Sequence, residues 1–473
     1  MKSYRLQNPA VADPCRGSGM GRRAFLGAAT GVVTSFGLSL ALPSRLRAAA
    51  PPGGRIRVGQ IGCGRIAQVH DLPGVLGSGL ADVVAVCDFD SKRAADGRAV
   101  VAKLYQEKSL GAAPAVSVHR HFRELLERSD IQAVVISTPD HWHAQLALSA
   151  VRAGKDVYLQ KPFTMTHAEG VLVRDAVLKS SRILQVGSQQ RSMEQFRRAA
   201  ELVRAGRIGA VRRVEIGLPI DPTQPDPEQQ PVPANLDYDS WLGPTALAPY
   251  TEQRVHPQQD YSRPGWLRNE AYCLGMITGW GSHHFDSLHW ALDCEQGGPS
   301  RVEGRGEFPK NKVWNVHGAY DVRLTYPGGV QVSVSDKHPN GLKFIGDEGW
   351  IWVTREGQTT SSDPKSKGEA LPPLAASKEV LLDPKGVKVE LPHSAEHHTN
   401  WLEAVRSRKA PLAPAAVAHR SGTACIVSWI AMKLARPLTW DAKAERFVND
   451  KEANALLSRP ERAPFGATRM SKA

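Results

Sequence analysis

The sequence predicts an α/β protein of two domains, on three observations. From Arg55 onward, short apolar strand-like runs alternate with helix-length segments. A glycine-rich turn, Gly62-Cys63-Gly64-Arg65-Ile66-Ala67, follows the first of those runs. At 473 residues the chain is too long for one ordinary core.

The N-terminal segment stands apart. Residues 1–50 hold seven cations (Lys2, Arg5, Arg16, Arg22, Arg23, Arg45, Arg47) against one acid, Asp13, so nearly half of the formal charge of +13 is concentrated there. No basic run or basic–aromatic stripe follows, which argues against a nucleic-acid partner. Arg22-Arg23-Ala24-Phe25-Leu26 precedes an uncharged Gly/Ser/Ala-rich stretch and then Ala48-Ala49-Ala50. This pattern resembles a twin-arginine signal, which implies the twin-arginine export machinery as a partner and a periplasmic or otherwise exported location. An uncleaved membrane anchor is the alternative.

The glycine turn reads as a dinucleotide-binding loop. Gly62 permits the tight turn, Gly64 allows backbone to approach a pyrophosphate, and Ala67 keeps helix and strand close. A second strand, "DVVAVCD", ends at Asp88, where a ribose-binding acid belongs. Asp88 favours NAD, while Lys92 and Arg93 leave NADP open. The strands "IQAVVIST", "DVYLQKP" and "RILQVGSQQ" continue the winding and bring Thr138, Lys161 and Gln189 to strand ends, where ligands of such sheets bind. The expectation is a Rossmann dinucleotide-binding domain.

The rest is less specific. Trp241, Tyr250, Tyr261 and Trp266 lie in Pro-rich loops and either stack on a sugar ring or pack the loops together. Residues 359–378 read as an exposed loop. Of six cysteines, Cys15 lies in the signal; Cys63, Cys87, Cys273, Cys294 and Cys425 show neither metal nor disulfide spacing. Histidines 141, 143, 283 and 284 lack an acid or cysteine to complete a metal set, so no metal is expected.

The glycine turn, Asp88, "STPDHWHA", "AGKDVYLQKP", "GWGSHHFD", Arg204 to Ile216, "HHTNWLEAVRSRKAPLAPAAVAHRS" and "LTWDAKAERFVND" together resemble the Gfo/Idh/MocA oxidoreductases, from about Arg55 to Phe465. The resemblance implies a Rossmann domain over 55–188 and a C-terminal α/β domain over 189–465, with 466–473 as a tail. The second domain would carry a large open, mostly antiparallel sheet whose outer face packs into a homo-oligomer, dimer or tetramer. It also implies an NAD(P)-dependent oxidoreductase acting on a secondary alcohol of a sugar, sugar derivative or cyclitol. The alternatives are a redox-neutral NAD-dependent glycosidase or lyase working through a keto-sugar, and a non-catalytic relative. Export adds that the cofactor is tightly bound, carried out with the folded chain.

By the same resemblance, Lys161 and His283 are the candidate catalytic pair, with lysine polarising the hydroxyl and histidine accepting its proton. Gly62, Gly64, Arg65, Ile66, Ala67, Asp88, Thr138, Pro139, His143, Gln160 and Lys161 are the candidate cofactor contacts. His284, Asp286 and Gln189 are the candidate substrate contacts, His141 and His143 are expected to cap a helix beside the nicotinamide, and His397-His398 reads as structural. The chain departs from the family pattern twice: Gln160 and Gly279 stand where carboxylates are usual. Loss of the charge at 160 should make Lys161 easier to deprotonate, and Gln160→Glu should move the basic limb of a pH profile upward.

Overall fold

The computed structural model describes residues 54–355 and 372–470. The stretch expected to be an export signal, residues 1–50, lies outside the described residues, as does most of the loop expected at 359–378, whose end forms a short strand. Among the described residues, no helix is long and apolar enough to cross a membrane.

The first sheet contains β1 (Ile56–Ile61), β2 (Ala81–Cys87), β3 (Ser117–His119), β4 (Ala133–Ile136), β5 (Asp156–Leu159) and β6 (Leu184–Val186). They are parallel, in the order β3-β2-β1-β4-β5-β6. β4 and β5 are buried on both faces, which is why "AVVI" and "DVYL" show no polar alternation. The order reverses between β1 and β4, and such a reversal opens a crevice at the carboxyl ends of the strands.

Distant sequence completes this layer. The helix His397–Ser407 lays Trp401, Leu402 and Val405 into the core on one face of the sheet, with Trp401 edge-on to Tyr158 at 5.6 Å. On the other face, Ala415, Ala418 and Phe465 join the core around Trp142. Residues past 466, read from sequence as a tail, begin with a docked helix, Ala467–Met470. Its first turn is held by Gly466 N–H donating to Gln145 Oε1 at 2.7 Å.

Among the described residues the second sheet has nine strands: β7 (Val211–Gly217), β8 (Arg301–Gly306), β9 (Tyr320–Thr325), β10 (Gln331–Ser335), β11 (Gly341–Gly346), β12 (Gly349–Val353), β13 (Leu374–Ala376), β14 (Leu438–Asp441) and β15 (Arg446–Phe447). Their order is β13-β12-β11-β7-β10-β9-β8-β14-β15, and β7–β10 is the parallel pair in an otherwise antiparallel sheet. β9 shows the cause of its one-sidedness: Tyr320, Val322 and Leu324 face the core while Asp321 and Arg323 face out. The helices Glu194–Arg204, Gly281–Ala291 and Ala415–Leu434 cover the inner face. Cys63, Cys87, Cys273 and Cys425 are buried free thiols, and Cys294 is a half-buried one.

One contact sets the site. Arg191, in the turn after β6, donates Nε to Asp286 Oδ2 (2.7 Å) and Nη2 to Oδ1 (2.9 Å), and its Nη1 reaches Glu295 at 2.8 Å. The helix Gly281–Ala291 is thereby fixed to the end of the first sheet.

Candidate active site

The five strand ends meet. Gly62, Asp88, Thr138, Lys161 and Gln189 line one cleft of about 580 Å³, and His283 from the second domain lines it as well. Gly64, Arg65, Ile66, Pro139 and Gln160 are also on its wall.

The phosphate end follows from the backbone. Gly62 has φ +85°, and a Cβ there would come within 2.6 Å of the Ser137 carbonyl oxygen. A Cβ on Gly64 would meet little, its nearest neighbour being Arg93 at 3.8 Å, so the second glycine leaves open wall. Two buried polar atoms on this wall, Arg65 Nε and Thr138 Oγ1, have no hydrogen-bond partner among the described residues. A pyrophosphate or ribose would satisfy both.

Asp88 accepts Cys63 N–H at Oδ2 (2.7 Å) and Asp90 N–H at Oδ1 (2.9 Å), and burial raises its pKa. Lys92 and Arg93 are both engaged by backbone carbonyls beside Asp88. Lys92 donates to the Gln258 carbonyl at 2.6 Å, and Arg93 donates to the Pro257 carbonyl at 2.8 Å while lying over the Tyr261 ring. This arrangement fits NAD.

At the other end, Lys161 shares the cleft wall with Asp140, the first residue of the helix Asp140–Arg152. Burial pulls the Lys161 ammonium down and pushes the Asp140 carboxyl up, each opposed by the other's charge; Arg355, Arg263 and Arg65 lower Lys161 further. Burial, then Arg355 and Lys161, hold His283 well below the usual imidazole value, so it stands neutral. Its Nδ1 is buried without a partner among the described residues. The carboxylate near Lys161 is thus Asp140, while Gly279 lines the cleft with open space where a Cβ would point.

Several expected contacts lie elsewhere. Ala67 is fully buried behind the glycine turn. His143 sits behind the wall, its ring nitrogens at the carbonyls of Pro162 (2.7 Å) and Thr138 (3.0 Å), tying two strand ends together. His141 donates Nε2 to the Trp241 carbonyl at 2.9 Å and caps nothing. His284 and Asp286 are turned from the cleft: His284 donates to Asn340 Oδ1 at 2.8 Å, and both Asp286 oxygens are held by Arg191. The reading of these two as substrate contacts is corrected by those bonds. Trp241 and Trp266 line the cleft, whereas Tyr250 packs in the loop core and Tyr261 donates to Asp96.

Sequence reasoning missed Asp71, Asp140, Arg263, Arg355, His397 and His398. All but Asp71 line the cleft. Asp71 is fully buried immediately behind it, accepting from Gln160 Nε2 at 2.7 Å. That contact revises the expectation for Gln160→Glu, because a second carboxylate already stands against position 160. Away from the cleft, His167, His419 and Glu445 bring three possible ligand atoms within 4.8 Å of one another. Arg174 donates to both Glu445 oxygens at 2.8 Å and Arg420 stands at 2.9 Å, so cations already occupy that carboxylate.

A parallel sheet with a dinucleotide crevice, joined by an open-sheet domain that adds an imidazole to the strand-end lysine, defines an NAD-binding oxidoreductase. Residues 56–188 match the oxidoreductase family's NAD-binding Rossmann fold, and residues 223–379 and 382–467 match its C-terminal alpha/beta domain. The chain belongs to the Gfo/Idh/MocA oxidoreductase family.

Among curated relatives, inositol 2-dehydrogenase 1 of Saccharopolyspora erythraea is 34% identical over 155 residues, 33% of this chain and 43% of that protein. Oxidoreductase P35 of Formosa agariphila is 30% identical over 164 residues, 35% of this chain and 47% of that protein. The chain thus spans less than half the length of these relatives. The WlbA dehydrogenase from Bordetella pertussis in complex with NADH and UDP-GlcNAcA shares the fold at TM-score 0.56 and 16% identity, over 82% of this chain and 99% of that one. The aldose-aldose oxidoreductase from Caulobacter crescentus complexed with glycerol does so at TM-score 0.55 and 16% identity, over 81% and 99%.

Proposed function

We propose that the chain oxidises a secondary alcohol of a sugar, sugar derivative or cyclitol, with NAD held tightly between turnovers. The observation that carries this is the joint placement of Lys161, Asp140 and neutral His283 in the cleft walled by Gly62 and Asp88. Bound NAD supplies the hydride acceptor. Lys161 donates a hydrogen bond to the substrate hydroxyl and stabilises the oxygen as charge develops on it. His283 accepts the hydroxyl proton, its ring standing neutral at neutral pH. Asp140 balances the lysine charge, and Trp241 and Trp266 offer apolar faces for a ring.

Export by the twin-arginine route, supported by Arg22-Arg23 and the stretch that follows, makes a periplasmic enzyme that carries its nucleotide with it. A homo-oligomer, dimer or tetramer, is supported by the open outer face of the second sheet. The test is incubation of the purified protein with a panel of aldoses, glycosides and cyclitols, following both nucleotide reduction and products by mass spectrometry. A keto product with reduced nucleotide is the expected result. Aglycone release without net reduction would assign the redox-neutral reading instead, and neither outcome with nucleotide bound would leave the chain a non-catalytic relative.

A further inference from the structure

Asp71 is fully buried and holds three partners: Ser137 Oγ donates to Oδ2 at 2.5 Å, Gln160 Nε2 donates to Oδ1 at 2.7 Å, and His398 Nε2 lies 2.9 Å from Oδ1. Gln60 Nε2 donates to Ser137 Oγ at 2.9 Å, which orients that hydroxyl toward Asp71. His398 is clamped in turn, stacked on Tyr158 at 4.5 Å and seated so close to Gly74 that a Cβ there would come within 2.3 Å of its Nδ1. Gln160, Ser137, His398 and Gly74 are cleft wall; Asp71 lies behind them.

We propose that Asp71 is a positioning residue that supplies, from behind the wall, the charge position 160 lacks, and fixes which end of the Gln160 amide the cofactor meets. With Nε2 committed to Asp71, Oε1 is turned to the far side, where it lies against Gly187. The amide therefore keeps its nitrogen on Asp71 and turns its oxygen away from it. Positions 71 and 160 work as one unit with a single negative charge.

This makes the two sites exchangeable. In D71N the pair of positions 71 and 160 carries no negative charge, whichever end of the new amide faces Gln160. In Q160E two carboxylates meet across a contact now 2.7 Å long, and one must take up a proton. In D71N/Q160E the charge sits at position 160. The amide nitrogen at position 71 then donates to the carboxylate at 160 and to His398 in its other tautomer, and the amide oxygen at 71 accepts from Ser137.

The experiment is NADH titration, read by nucleotide fluorescence, of full-length wild type, both single variants and the double variant, with circular dichroism on the same samples. Each single variant should weaken NADH binding about tenfold or more, and the double variant should return to within about threefold of wild type. A double variant as weak as the two losses combined, about a hundredfold, overturns the proposal. Should D71N not fold, Q160E alone decides. Its NADH binding should recover as pH falls from about 9 to about 5 and the carboxyl pair takes up a proton. Wild-type binding across that whole range overturns the proposal.

Discussion

Arg191 and Asp286 form a two-bond, fully buried ion pair that ties the turn after β6 to the helix bearing His283. Neither residue touches the cleft, yet together they fix where the imidazole stands. Removing Asp286 leaves the buried Arg191 with Glu295 as its remaining counter-charge, so the loss should fall below the about 3–5 kcal/mol of a fully orphaned charge. Asp286→Ala should still lower the thermal midpoint. Asp286→Asn, which keeps the shape and part of the hydrogen bonding, should lose less stability and show its deficit mainly in kcat. Equal, unaltered melting of both variants would contradict a structural role for the pair.

Lys161 and His283 should be separable by pH. Burial lowers the lysine pKa, so the basic limb of a kcat/KM profile should lie below the ordinary lysine value of about 10.4. Burial also lowers the histidine pKa, so no acid limb should appear near 6.5. His283→Ala should reduce kcat by about 10²–10⁴-fold with nucleotide still bound. A variant retaining wild-type turnover would remove His283 from the chemistry.

Gly62→Ala should lower the thermal midpoint, whereas Gly64→Ala should leave the fold intact and weaken nucleotide binding by crowding the pyrophosphate. The first puts a methyl group 2.6 Å from a backbone carbonyl at φ +85°; the second meets only the end of an arginine at 3.8 Å. Thermal melts and equilibrium dialysis with labelled NAD separate the two effects, and full NAD binding by Gly64→Ala would place the pyrophosphate elsewhere.

Acid should destabilise the protein early. Burial holds His289 at about 3 and His317 at about 4, against about 6.5 in the unfolded chain. Between those values the unfolded state binds the proton and the folded state does not, so stability is full above pH 6.5 and falls as pH drops toward 4. Each such group adds about 1.4 kcal/mol per pH unit in that window. Calorimetry at pH 7 and pH 5 should show a clear fall in thermal midpoint; an unchanged midpoint would mean these rings protonate in place.

Features carried by local pattern were legible in the sequence. Gly62, Asp88, Thr138 and Lys161 each end an apolar run, and parallel topology alone brings strand ends together. Contacts between distant segments were not legible. His398 reaches Asp71 across 327 residues, and no spacing rule links a helix near the C-terminus to the first helical turn of the Rossmann domain. Asp140 stood in a strand-end motif but was passed over, because its meaning depends on burial beside Lys161. His284 and Asp286 were misread for the opposite reason. Helical spacing says which residues share a face, and only the partner, here Asn340 or Arg191, says what that face meets.

The most direct test of the central claim is mass spectrometry of nucleotide released by denaturing the purified, tag-free protein. Stoichiometric NAD, carried in the cleft walled by Gly62, Asp88 and Gln160, is the expected result. An empty site that also fails to bind added NAD would contradict it.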